Sequence, residues 1–188
     1  MFFSIVAQAN FVDNNLHSNV TIASAVTIVE TDPVSFGNFI VEMPGGGDAS
    51  IILTPAGGRT SYNGASTTIA LASGGYGTST YGAARPGLYH ISGAAANSDI
   101  YVAFVQTLGV PIDSSNPVAL TGPAGADEFL VDTFTFNKSG TDATGDYIIA
   151  DGTGDATLKV GATLHTKAGA SSYPDGTYRG VFGIVASY

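Results

Sequence analysis

Imidazoles are the side chains best suited to a zinc site or to base catalysis, and this chain has three: His17, His90 and His165. They lie far apart in sequence. In "LYHIS" and "TLHTK", His90 and His165 take the opposite parity from Ile91 and Leu164, which points both to solvent on a strand. The stretch "GTDATGDYIIADGTGDAT" offers Asp142, Asp146, Asp151 and Asp155 as calcium-type carboxylates. Their spacing fits neither an EF-hand nor the nonapeptide calcium repeat, and aspartate beside glycine is ordinary turn chemistry. "PGGGD" at residues 44–48 has the glycine content of a phosphate loop, but neither a lysine nor a helix pattern follows it. Gly-x-Ser-x-Gly, His-Glu-x-x-His and Walker patterns are absent from the sequence. Tyr62, Tyr76 and Tyr81 offer either a sugar-stacking platform or interface packing. Asn19-Val20-Thr21 and Asn137-Lys138-Ser139 match the short glycosylation sequon. The expectation is a protein that is not an enzyme and carries no metal or other cofactor.

Composition narrows the partners. The chain has 188 residues, enough for one well-buried domain. Only 11% are charged, while 44% are hydrophobic, and the net charge is −9. So few cations exclude nucleic-acid binding through counterion release and a polybasic membrane contact. No apolar run approaches the roughly 20 residues that a spanning helix needs. With no cysteine there are no disulfides, thiolate metal sites or thiol nucleophiles.

The elements that must position any site are strands. Twenty-five glycines and eight prolines interrupt every long window, so a 3.6-residue period has no room to develop. Period-two runs rich in Val, Ile, Thr, Phe and Tyr predict strands over 20–30, 39–43, 49–54, 67–72, 87–92, 100–108, 128–137, 156–166 and 176–188. In the last of these, Tyr178, Val181 or Phe182, Ile184 and Tyr188 carry the alternation. Turn signals such as Asn63-Gly64, Asp151-Gly152 and Pro174-Asp175-Gly176 separate the runs. About nine short strands with turns between them predict a single β-sandwich. Residues 62–85 read as a long surface loop or an edge hairpin.

The opening "FFSIVAQANF" admits two readings. Ala7-Gln8-Ala9 has the small-x-small form of a cleavage site, which suits the remnant of a secretion signal, although no basic residue precedes it. Alternatively, Phe3, Ile5, Ala7, Ala9 and Phe11 share one face of a strand. The polar "VDNNLHSN" that follows then serves as a tether. A hydrophobic strand on a polar tether is what β-strand donation to an incomplete sheet requires.

From Val20 onward the order of motifs resembles a bacterial secreted family named domain of unknown function 4402. The matching stretches are "VTIASAVTIVETDPVSFGNF", "GGGDASIILTPAGGRTSYNG", "FTFN" and "GTYRGVFGIVASY". The motif positions are Phe36-Gly37, Pro55-Ala56-Gly57-Gly58-Arg59-Thr60, Gly176-Thr177-Tyr178 and Tyr188. The resemblance implies a secreted, immunoglobulin-like sandwich with a looser likeness to pilus subunits completed by a neighbour's strand. It carries no catalytic residues to transfer.

The combined expectation is an all-β, immunoglobulin-like sandwich of antiparallel strands over residues 20–188, preceded by an extension over 1–19 whose donor strand is 2–12. Its function is that of a structural subunit of an extracellular, cell-surface filament or pilus. Phe3, Ile5, Ala7, Ala9 and Phe11 enter a groove of the next copy, so the partner is the same chain, with an export chaperone as a further partner. The alternatives are a monomeric secreted adhesion or carbohydrate-binding module, and a virion coat or tail protein.

Overall fold

A computed structural model describes residues 26–42, 48–71, 84–106, 109–137 and 147–188. Among them are twelve strands and no helix. In order these are β1 (Thr27–Asp32), β2 (Phe39–Glu42), β3 (Ser50–Leu53), β4 (Arg59–Tyr62), β5 (Thr68–Leu71) and β6 (Gly87–Ser92). Then come β7 (Asp99–Val105), β8 (Val118–Leu120), β9 (Phe129–Phe136), β10 (Tyr147–Ile149), β11 (Ala156–Thr166) and β12 (Gly183–Ser187). Every pairing is antiparallel.

The large sheet is organised by β11. Val160 pairs with both Gly87 and Phe136, and Leu164 with both Ile51 and Val131. A strand residue has only two edges, so β9 runs along one edge of β11 while β6 and β3 succeed each other along the other. β1 extends the sheet beyond β6, β4 beyond β3 and β8 beyond β9. Strict alternation on β11 points Leu158, Val160, Ala162 and Leu164 inward, all essentially inaccessible.

Two small sheets cover that face. β2 and β5 pair so that Phe39 faces Leu71 and Val41 faces Ile69. Their inner side packs with Ile51, Leu53, Phe129, Val131 and Leu164 in one core. β10, β7 and β12 form the other piece, whose Ile148, Ile100, Val102 and Ala186 pack with Tyr89, Ile91, Leu158 and Val160 in a second core. The result is an antiparallel sandwich whose second layer is in two parts. Val34, Phe134 and Phe182 touch both cores and mark the junction.

Most expected strands appear close to the expected bounds, with three additions and one correction. β4, β8 and β10 lay outside the expected set. The run expected over 176–188 is a strand only from Gly183; residues 176–182 form no strand, and Arg179 alone bridges to Thr121. The alternation is carried by Phe182, Ile184 and Ala186, whereas Val181 is 75% exposed. The first expected strand begins at Thr27, and its portion before Val26 lies outside the described residues.

Candidate functional site: an open seam in the second layer

A groove of about 1000 Å³ lies where the two parts of the second layer fail to meet. Its floor is the inner face of the large sheet: Val118 and Leu120 on β8, Phe129, Val131 and Phe134 on β9, and Leu164 on β11. One wall is residues 33–41, the lead into β2 and β2 itself. The other is residues 173–180, with Phe182 at the entry to β12. All three junction residues line it.

The groove is a core left partly uncovered. Phe39 and Val41 point inward by the alternation of β2, yet both remain half-buried, as do Val34, Leu120, Phe134, Tyr178 and Phe182. β2 pairs with β5 along one edge, and its other edge has no ladder among the described residues. An apolar floor beside a free strand edge is the arrangement that accepts an added strand.

Both walls are held by specific bonds. Arg59 on β4 donates from Nη1 to the carbonyls of Phe36 at 2.7 Å and Asn38 at 3.1 Å, fixing the turn that feeds β2. Burial lowers the pKa of this guanidinium. Gly37 takes a left-handed φ of 69° in that turn, which suits glycine. On the opposite wall, Thr121 and Arg179 exchange backbone bonds at 2.9 Å. The Asp127 carboxylate accepts the backbone N–H of Ser171 and that of Ser172, and these bonds hold it below the usual carboxylate range. The Tyr173 hydroxyl accepts from Lys167 N at 2.7 Å and donates to Glu128 O at 3.2 Å. Tyr178 donates to Pro174 O at 3.0 Å, and burial pushes both phenols up.

Aromatic clusters close the two ends of the floor. Phe129 stacks on Tyr173 with centroids 4.2 Å apart and meets Tyr178 and Phe39 edge-on at 4.8 and 5.4 Å. Phe134 lies 4.6 Å from Phe182 and 5.0 Å from Phe104.

The sequence-derived candidates fall elsewhere. Phe3, Ile5, Ala7, Ala9 and Phe11 lie outside the described residues, as do His17, Tyr76, Tyr81, Asp142, Asp146, the sequon at Asn19 and most of the 44–48 turn. His90 is exposed on β6. His165 is half-buried rather than free in solvent: its Nε2 sits 3.0 Å from Asp132 Oδ1, at a bulge of β9 where Thr133 has a φ of 49°. Asp151 accepts N–H groups from Thr153 and Asp155 and so closes its own tight turn. Among the described residues no three carboxylate or imidazole groups gather to hold a metal ion. Asn137 is buried with its side-chain oxygen accepting from Lys159 N, so folding withdraws this asparagine from the surface.

A family model described as Domain of unknown function (DUF4402) matches residues 26–188. The chain belongs to this family. No curated protein and no solved structure matches it. The motifs behind the resemblance converge on the seam: Phe36, Gly37, Gly176, Thr177 and Tyr178 line it, and Arg59 clamps the turn at Phe36. Sequence reasoning did not find Leu120 or Phe134, because each reads as ordinary core until its half-buried place along the seam is seen.

Proposed function

We propose that this protein is a structural subunit of an extracellular filament or pilus, joined by insertion of one copy's N-terminal strand into the seam of the next. The observation that carries the reading is the row of inward-facing hydrophobics left half-buried beside the edge of β2 that has no ladder among the described residues. Inserting a strand there removes apolar surface from water and adds a ladder along that edge. Phe3, Ile5, Ala7, Ala9 and Phe11 provide one continuous apolar face, at the end of the chain that leads into β1. Residues 13–19, the polar tether and seven in number, span up to about 25 Å when extended, which gives the strand reach towards a neighbouring copy. Donation from copy to copy is heterologous and non-closing, and it therefore propagates a fibre. A free subunit exposes its seam, which gives an export chaperone something to shield.

The test is an SDS gel of native material, unheated and boiled. The expected result is a ladder that collapses to 19.0 kDa on boiling, and that a chain lacking residues 2–12 does not form. A truncated chain that assembles as well as the intact one overturns the proposal.

A further inference from the structure

A second surface lies on the outward side of the β10–β7–β12 sheet, apart from the seam. Alternation on these strands sends Ile148, Ile100, Val102 and Ala186 into the core and turns the residues between them outward. The register sets the outward residues in rows: Ile149 beside Asp99, then Tyr147, Tyr101 and Ser187 side by side, then Val185. The solvated face of an antiparallel sheet ordinarily carries polar residues. Here Tyr101 is 52% exposed, and Ile149 and Val185 are 45% exposed each. The rings of Tyr101 and Tyr147 are neighbours across the strands, with centroids 5.8 Å apart and planes inclined at 51°.

Size and charge select what this face takes. Its two tyrosines and two aliphatic side chains leave roughly 300 Å² of apolar surface in water. A stable protein interface needs far more, roughly 800 Å² from each partner. Asp99 is the one charged residue in these rows, so the face has no cation for a polyanion and no acidic cluster for a basic partner. The matching ligand is small in cross-section, neutral, apolar on one side and polar at its rim. A pyranose ring has that form, with C–H groups on its face and hydroxyls around its edge. Hydrogen-bonding groups stand where those hydroxyls fall: Ser187 is on the neighbouring strand, about 4.8 Å away, and Asp99 is one same-face step along β7, about 6.7 Å from Tyr101. We propose that this face binds a neutral glycan, stacked on Tyr101 and Tyr147, with Asp99 and Ser187 bonding its hydroxyls. The inference does not depend on strand insertion, because these side chains point away from the core onto which the seam opens.

The test measures binding of the full-length chain to wells coated with cellulose, chitin, mannan or dextran, and with alginate as a polyanion. At least one neutral polysaccharide should bind and alginate should not. Tyr101→Ala should weaken that binding about tenfold or more, while Tyr101→Phe, which keeps the ring, should stay within about threefold of the parent. Asp99→Asn should fall between them. Tyr62→Ala, which removes a tyrosine 54% exposed on the other layer, should bind as the parent does. Binding to none of the neutral polysaccharides, or binding that survives Tyr101→Ala, overturns the proposal. So does a Tyr101→Ala chain that loses self-association on sedimentation without any glycan present, which assigns the face to a second copy.

Discussion

Single residues hold this seam in shape. Asp127 ties the base of one wall through the N–H groups of Ser171 and Ser172. Its carboxyl is held below the ordinary range, so those bonds favour the folded state above the unfolded carboxyl's pKa of about 3.9 and are lost as pH falls through the lower folded value. Thermal unfolding of Asp127→Ala should therefore lie below that of the parent at neutral pH, the gap closing in acid; a gap that persists unchanged at pH 2 contradicts this. Thr67 gives a change of the opposite sign. It is fully buried and its hydroxyl has no partner among the described residues. Thr67→Val should raise stability by about 1 kcal/mol, read from urea unfolding, because it removes an unpaired polar atom without changing shape. What could be read at this scale was parity, not partnership. The sequence places His90 on an outward position, and it is there. The bond from His165 to Asp132 joins residues 33 apart across a bulge, and no local pattern announces it.

At the scale of elements, strands with strong alternation were legible and weak ones were not. β6 and β11 have the bounds that the sequence predicts, because Tyr89 and Ile91, and Leu158 through Leu164, alternate cleanly with polar or small residues. β4 is Arg-Thr-Ser-Tyr and has no apolar period; it is a strand because β3 offers it an edge. β8 and β10 are three residues each, too short for any period to show. The stretch before β12 has the apolar alternation that predicts strand over 176–188, yet it is irregular up to Gly183. Gly180 permits close approach: a Cβ there would lie 2.6 Å from Leu120 Cδ2 and 2.7 Å from Ala119 O. Gly180→Ala should push this wall off β8, lowering stability by about 1–3 kcal/mol in chemical unfolding. It should also weaken the unheated ladder, whereas a variant as stable as the parent would show that the wall yields freely.

For the whole molecule, the sequence carried the class and the cover that the class needs, but not the place where cover is missing. A seam is a property of how two sheets fall short of each other, and neither β2 nor β12 shows it alone. In the proposed fibre, the long central strand would have a further consequence. β11 is hydrogen-bonded to β6, β3 and β9, and both cores pack on it. Tension entering through a strand seated over β9 would spread through this one backbone into both halves of the domain. The load is then shared as shear among many parallel bonds rather than peeled from one end, so a pulled fibre should part between subunits before any subunit opens.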